Sequence, residues 1–271
     1  MPYCARCGNQ LSEGAQFCYK CGAPVGVPPA PSPNVRRPQK SPLSALTVAM
    51  IAVAAVVAII AIIALIAASS TFFIPKMVVG SGHLVTHQEN FTGFTSVTVE
   101  SGFGFAITQS SSYSVNVTTD DNLLSYLQVT KTGNYLSVGL KPGYAYLSAT
   151  LKVAIYMPDI AQLDLSGGSS GAMNGFVMSH DFTVTASGGS WVTVRGGARN
   201  LALEASGGSH LDLTNFNLTN ANVDLSGGSQ TTISLSGRLD ASLSGGSQLY
   251  YLGNATLGNV NVSGGSLISK R

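Results

Sequence analysis

Residues 203–229 read LEASGGSHLDLTNFNLTNANVDLSGGS, and this stretch holds two copies of one pattern. In each copy Ser-Gly-Gly-Ser follows an apolar–polar–apolar triplet, and a second alternating stretch starts directly after it. The motif occurs six times, 18 to 21 residues apart, with first serines at Ser166, Ser187, Ser206, Ser226, Ser244 and Ser263. A period of about 20 residues is typical of a solenoid, whose units bury their apolar faces only against one another.

When the six motifs are aligned on their first serine, the flanking residues fall into columns. The positions three and one before the serine are apolar in every copy, from Leu163 and Leu165 to Val260 and Val262, and the position between them is polar. This period of two indicates β-strands with one buried face, whereas a Gly/Ser linker carries no apolar columns. The sequence therefore predicts an all-β fold, a parallel β-helix (solenoid) with about 20 residues per coil.

The motif itself is interpreted as a corner between two strands. Its two glycines are expected to turn the chain where a Cβ would crowd the neighbouring coils. Its serines are expected to hydrogen-bond along the stack of coils.

Candidate binding residues follow the motif on the outward side of the strands. By alternation, the fourth and sixth positions after the first serine point away from the core. A ligand-binding strip is predicted from five residues at these positions: Trp191, His210, Gln230, Gln248 and Tyr250. Aromatic and amide groups suit stacking on a glycan or peptide and hydrogen-bonding to it. An ordinary solvated sheet face is the alternative, because scattered exposed apolar residues need no functional explanation.

The titratable residues do not form a recognisable catalytic pattern. The histidines are scattered along the sequence outside any nucleophile or metal motif, so we expect no enzyme. Glu204 and Asp224 should stack in neighbouring coils, where either a cation or solvent would separate the two like charges.

Upstream of the repeats, the chain from Phe91 alternates in short runs bounded by Gly, Ser, Asn and Asp, as strands do. The runs FTSVTVESGFGFAITQ, DDNLLSYLQVTKTGNYLSVGL and LKVAIYMPDIAQLDLSGGS, with the coils that follow, resemble the GIN-type head domain of auto-transporter adhesins. The resemblance covers residues 91–271, which we take as the solenoid domain. It implies a right-handed β-helix on the cell exterior and no established chemistry.

The N-terminal segment, residues 1–24, carries all four cysteines of the chain, in two Cys-x-x-Cys pairs: Cys4, Cys7, Cys18 and Cys21. Four thiolates at this spacing predict one structural Zn²⁺ per chain, because a closed four-cysteine site leaves no open position for catalysis. A thioredoxin-like pair is disfavoured, since no βαβ pattern surrounds either motif. The run YCARCG…FCYKCGAP resembles the short N-terminal zinc ribbon of prokaryotic proteins.

Between ribbon and solenoid lies a long apolar run, residues 43–68, which has no charged side chain. As a helix it would be about 39 Å long and would cross a bilayer of about 30 Å, so it predicts a transmembrane helix with the lipid bilayer as a partner. Arg36, Arg37 and Lys40 precede it, which predicts a cytoplasmic N terminus and an extracytoplasmic C-terminal domain. Residues 25–42 form a proline-rich linker in this interpretation, and residues 69–90 form a stalk.

Taken together, the sequence predicts a single-pass membrane protein whose outer β-helix is a binding, adhesion or scaffolding module for a surface glycan or protein. The alternative is a transmembrane signalling or envelope-stress sensor, in which the ribbon docks a cytoplasmic protein partner. No nucleic-acid partner is expected.

Overall fold

The computed structural model describes residues 2–25 and 75–271 of the 271-residue chain. The chain divides into two compact units, Met1–Phe72 and Phe73–Arg271. Three predicted segments lie wholly or largely outside the described residues: the linker 25–42, the transmembrane helix 43–68 and the first part of the stalk 69–90.

The predicted single-pass membrane location is corrected by the structure. A helical span needs about 20 apolar residues. Within residues 2–25 and 75–271 the single helix is a short 3₁₀ segment, Asp121–Tyr126, and no helix is both long and apolar enough to cross a membrane. A membrane anchor with a cytoplasmic N terminus is therefore not supported.

The first unit contains the ribbon, which is built from two similar loops. Tyr3 pairs with Gln10 and Phe17 pairs with Pro24 through isolated antiparallel bridges, one at the base of each loop. Leu11 and Ala23 are buried with two of the cysteines in a very small core. So few apolar contacts cannot offset the loss of chain entropy, and the cysteines must supply the remaining stability.

The second unit is made of strands. Within the described residues these are β1 (Lys76–Val79), β2 (Leu84–Glu89), β3 (Ser96–Val99), β4 (Gly104–Gln109), β5 (Ser114–Asp120), β6 (Leu127–Thr132), β7 (Tyr135–Leu140), β8 (Tyr144–Leu147), β9 (Leu151–Met157), β10 (Gln162–Leu165), β11 (Ser170–Val177), β12 (Phe182–Ala186), β13 (Trp191–Ala205), β14 (His210–Leu225), β15 (Gln230–Leu235), β16 (Arg238–Leu243), β17 (Gln248–Leu252), β18 (Thr256–Val262) and β19 (Leu267–Lys270).

Two parallel stacks of strands form the solenoid. The first stack runs in the order β7, β3, β10, β12, the ends of β13 and β14, β16 and β18. The second stack runs in the order β9, β4, β11, the starts of β13 and β14, β15, β17 and β19. The parallel β-solenoid predicted from the repeat is confirmed.

The register between coils is the one obtained by aligning the motifs. Leu163 lies opposite Val184, Val184 opposite Leu203, and so on to Val260. These inward residues are buried up to Ala241, whereas Val262 in the last coil is 43% exposed. Stacked columns of this kind bury apolar area against the coils on both sides, which is the main stabilising term in a solenoid.

The N-terminal part of the domain differs from a simple succession of coils. β3 and β4 lie between the β7–β9 layer and the β10–β11 layer, although both come earlier in the chain. β5 pairs antiparallel with β9, and β6 pairs antiparallel with β7. At this end of the solenoid, the parallel coils are therefore followed by antiparallel strand pairs.

The predicted stalk is also corrected, because from Lys76 onward it belongs to the domain. β1 pairs with β8, and β2 pairs with β5. Between them, the buried Asp120 accepts hydrogen bonds from the N–H groups of Gly82 (2.7 Å) and Thr150 (2.8 Å). Both hydrogen bonds hold the pKa of Asp120 below its usual value, and the bond from the N–H of Thr150 has a larger effect than the bond from Gly82. The carboxylate thus fastens the β1–β2 connection to the solenoid.

Each Ser-Gly-Gly-Ser motif forms the same tight corner. Both glycines have positive φ, for example 65° at Gly207 and 78° at Gly208, as in a type I′ turn. A Cβ at Gly207 would lie 3.0 Å from the backbone nitrogen of Gly188 in the preceding coil, whereas a Cβ at Gly208 would meet nothing within 4 Å. Crowding between coils therefore explains why the first of the two positions is glycine. The positive φ explains why both positions are glycine.

In five of the six turns the last serine bonds within the turn rather than along the stack, contrary to the expectation from sequence. The Oγ of the fourth residue donates to the carbonyl oxygen of the first, at 2.8 Å from Ser209 to Ser206 and at 2.7 Å from Ser190 to Ser187. The same bond recurs in the turns of Ser169, Ser229 and Ser247. These serines are almost fully buried, so the bond satisfies a hydroxyl that has no access to water. At the last coil the expectation holds, because Ser266 Oγ accepts the N–H of Ser247 at 3.1 Å and Ser263 Oγ donates to the Leu243 carbonyl at 3.3 Å.

The two glycines of one corner provide a matched test. Gly207→Ala and Gly208→Ala should both destabilise the solenoid by about 1 kcal/mol, because alanine at positive φ is strained. Gly207→Ala should cost more, since its Cβ also presses on the Gly188 backbone. Thermal unfolding of the two variants measures the difference, and equal melting temperatures would contradict the role assigned to the coil contact.

Candidate functional site

The ribbon brings its four cysteine sulfurs into one cluster. All four Sγ atoms lie within 4.8 Å of one another. The Cys4–Cys21 pair is 3.6 Å apart and the Cys7–Cys18 pair is 3.7 Å apart. Tetrahedral zinc with Zn–S bonds of about 2.3 Å places its sulfurs about 3.8 Å apart. The donor set and its dimensions therefore fit one four-coordinate Zn²⁺.

The backbone of each loop supports the same assignment. The N–H of Gly8 donates to the Cys4 carbonyl at 2.9 Å, and the N–H of Gly22 donates to the Cys18 carbonyl at 2.8 Å. Both glycines have positive φ, 70° and 68°, which closes each loop around its sulfurs. The two cysteine pairs are thus held by equivalent turns, as in a pair of zinc knuckles.

The pKa values of Cys4, Cys18 and Cys21 depend on nearby backbone N–H groups and on the neighbouring sulfurs. Backbone N–H groups of Arg6 and Cys7 point at the Cys4 sulfur and lower its pKa to about 6, and the N–H of Lys20 lowers the pKa of Cys18. The N–H of Ala23 acts in the same direction on Cys21, but the neighbouring thiols, Cys7 first, raise its pKa to about 12. A bound cation removes this mutual repulsion and stabilises all four thiolates.

Cys18→Ala should abolish zinc binding and unfold residues 2–25, because three thiolates cannot hold so small a core. Metal content, measured with a colorimetric chelator, and the dispersion of the ribbon amide signals in NMR spectra report the two effects. Tyr19→Ala is the matched control, since Tyr19 is adjacent in sequence but 80% exposed. A Cys18→Ala protein that keeps one zinc and a folded ribbon would contradict the assignment.

The second stack carries the predicted ligand-binding strip on its outward face. Trp191 lies opposite His210, His210 opposite Gln230, and Gln230 opposite Gln248. Tyr250 projects from the next outward position on the same strand as Gln248. The structure thus brings all five side chains onto one face.

The five residues do not form a uniform surface. Tyr250 donates to Gln248 Oε1 at 2.8 Å, Gln230 donates to the same oxygen at 3.3 Å, and the Arg271 guanidinium covers the Tyr250 ring at 3.6 Å. The side chains of Gln230, Gln248 and Tyr250 therefore already hydrogen-bond to one another. The Trp191 ring, by contrast, is 52% exposed and contacts the His210 ring at a centroid distance of 6.4 Å.

Part of the outward face of the first stack is a polar ladder whose side chains hydrogen-bond to one another. Asn200 donates to Asp181 and Asn220 donates to Asn200, each at 2.8 Å, and Asn220 in turn accepts the N–H of Arg238 at 2.8 Å. Such a ladder uses the side-chain groups to join successive coils, which leaves few of them free for a ligand.

The comparisons with known proteins agree with this geometry. Residues 93–255 match the family model described as putative auto-transporter adhesin, head GIN domain, which spans more than half of the chain. The chain belongs to this family. Residues 3–25 match the model of a zinc-ribbon domain. Both resemblances inferred from the sequence are confirmed.

Several solved structures share the fold of the GIN domain. A putative adhesin from Bacteroides fragilis gives a TM-score of 0.61 at 17% identity, over 72% of this chain and 100% of that one. Putative adhesins from Parabacteroides distasonis and Parabacteroides merdae give 0.50 and 0.49 at 14% and 18% identity, over 72% of this chain and 100% and 99% of theirs. At such identities the first two support the fold alone. No curated protein matches the sequence.

The histidines of the GIN domain lie in separate places. His180 contacts the carboxylate of Asp159 at 2.9 Å, and its pKa is raised by the Asp181 carbonyl first and by Asp159 second. His87 pairs with Glu89 at 3.4 Å, and His210 stacks beside Trp191. These contacts are surface ion pairs and ring packing rather than a nucleophile with its base.

The acidic pair of the GIN domain is found where the repeat alignment placed it. Glu204 and Asp224 are opposite in neighbouring coils, and both are exposed. Solvent screens two exposed carboxylates, so the arrangement is explained without a bound ion.

Sequence reasoning missed an open groove on the same face as Trp191. Its lining comes from β4, β5, β9 and the start of β11, strands that are far apart in the chain. Only the observed order of the strands brings these residues together, so no spacing in the sequence could have shown it. The one signal available was the small size of the outward residues Gly104, Ala106 and Ala154.

Proposed function

We propose that the GIN domain is a non-catalytic binding module of the adhesin type, and that it binds its ligand on the outward face of the second stack. The ribbon in this proposal is a structural domain that holds one Zn²⁺ through Cys4, Cys7, Cys18 and Cys21. The family description supports attachment as the role of the domain. The ligand is a glycan or a protein on another surface.

The observation that carries the proposal is the exposure of Trp191. An exposed tryptophan on a rigid parallel sheet offers a flat apolar surface at little entropic cost, since its neighbours in the strand are fixed by the ladder. Trp191 is also 52% exposed while Val192 and Val194 on the same strand are fully buried, so it contributes nothing comparable to the core. Tryptophan is among the residues most often found at the centre of binding sites.

Replacing Trp191 by alanine tests the proposal. We expect an unchanged melting temperature and a loss of affinity of about 10-fold or more for any ligand identified on a glycan array or peptide array. Trp191 is the only tryptophan of the chain, so its fluorescence reports directly on occupancy of this face. Val177→Ala is the control, because Val177 is 79% exposed and lies at the other end of the neighbouring strand β11, opposite Gly197 rather than Trp191. Equal binding by the two variants would refute the site.

A second candidate function assigns partner recognition to the ribbon. Tyr3, Phe17 and Tyr19 are 66%, 62% and 80% exposed on a domain of two dozen residues. Aromatic side chains are enriched where proteins contact one another, so this surface favours a docking role of the kind expected of a sensor.

Combined replacement of these three aromatics by serine separates the two candidates. If the ribbon docks a protein, the variant should keep its zinc and its Trp191-dependent binding but lose capture of a partner that the wild-type chain captures. Loss of ligand binding by the solenoid in this variant would instead argue against independent roles for the two units.

A further inference from the structure

The groove beside Trp191 has the size of a ligand site. It is an open depression of about 460 Å³ on the second stack, within the range of about 300–1,000 Å³ that ligand pockets occupy. Its floor is formed by Gly104, Ala106, Ala154 and Ser170, and Lys152 and Asn116 stand on the side nearer β5. Because the floor residues are small, the backbone of the sheet lies close to any bound molecule.

The strand register fixes what borders the groove. Lys152 on β9 is opposite Gly104, Gly104 is opposite Ser170, and Ser170 is opposite Trp191. Three strand spacings of about 4.8 Å place the Trp191 and Lys152 backbones about 14 Å apart across the floor. Trp191 therefore lies on the strand next to one side of the groove, and Lys152 lies toward the other side, where Thr118 on β5 is its neighbour.

Lys152 contributes both apolar surface and charge. A Cβ at Gly104 would lie 3.9 Å from Lys152 Cγ, so the first part of the lysine side chain lies beside Gly104 and adds apolar surface to the groove. No carboxylate lines the groove, and within the described residues Lys152 forms no ion pair. Its ammonium group is thus free to meet an anionic group of a ligand.

We propose that this groove is the ligand site of the domain and that it takes an acidic glycan, one whose sugar rings carry carboxylates. Trp191 stacks on the apolar face of a ring, Asn116 and Ser170 serve its hydroxyls, and Lys152 pairs with the carboxylate. The inference rests on the proposed binding function and adds the class of ligand to it. The complementary charge at Lys152 selects an acidic sugar over a neutral one.

The direct test compares two trisaccharides that differ only in charge, trigalacturonic acid and galactotriose. Titration of each into the full-length protein, measured by isothermal titration calorimetry, should show tighter binding of the acidic sugar by about 2–5-fold, the effect of one exposed ion pair. The preference should shrink at 0.5 M salt, because exposed charges are screened. Equal affinities, or no binding of either sugar at millimolar concentration, would overturn the proposal.

Two pairs of variants locate the site. Lys152→Gln should lose the preference for the acidic sugar, whereas Lys141→Gln, an exposed lysine outside the groove lining, should keep it. Ala106→Phe should block binding by filling the floor, whereas Thr232→Phe, on the same outward row beyond Trp191, should not. Melting temperatures near that of the wild type confirm that each variant is folded.

The outcomes separate this inference from the function on which it rests. If Trp191→Ala removes binding while Lys152→Gln and Ala106→Phe leave it unchanged, the face binds a ligand but the groove does not hold it, and the inference fails alone. If Trp191→Ala also has no effect on any ligand, the proposed function fails as well.

Discussion

The solenoid depends on the conformation of one four-residue corner. At each Ser-Gly-Gly-Ser, two residues with positive φ reverse the chain, and in five of the six a buried serine hydroxyl closes the turn on the first carbonyl. The N–H before the glycines and the N–H after them both donate to the preceding coil, as from Ser206 to Ala186 (2.9 Å) and from His210 to Ser190 (2.8 Å). Because both flanks are fastened, one corner fixes the register of two strands at once. Every inward column and every outward row then follows from the period of two.

The coil length and the buried face of the solenoid could be predicted from the sequence, because both depend on residues that are close together in the chain. The distance between motifs gave the coil length, and the apolar columns gave the buried face, since both repeat within about 20 residues. The coil of β3 and β4 was placed in the solenoid domain but not recognised as a repeat, because its corner reads Glu100-Ser101-Gly102-Phe103, which lacks the motif but has the same positive φ at Ser101 (62°) and Gly102 (75°). The insertion of β3 and β4 ahead of β10 is a long-range pairing that no local pattern encodes.

The candidate site likewise has features that the local sequence predicts and features that it does not. The five residues predicted as a strip were found on one face because they sit at equal distances from successive motifs. Their different environments were not predictable, since the bonds among Gln230, Gln248 and Tyr250 and the position of Arg271 over the Tyr250 ring depend on side-chain conformations. In the ribbon, by contrast, the spacing of the cysteines was sufficient, because two short loops must bring their sulfurs together before the segment can fold at all.

A regular repeat also limits where binding specificity can arise. Within the repeats, outward amides of the same type meet at a constant spacing and satisfy one another, as Gln230 does with Gln248 and Asn200 with Asn220. A ligand must compete with such pairs, and its net gain is small. Where the regular coils meet the non-repeated strands β4, β5 and β9, successive residues differ in size and charge, and within the described residues Lys152 forms no ion pair. In the proposed function, the repeats therefore act as a rigid support, and the surface that discriminates between ligands is the one beside Trp191, where the repetition begins.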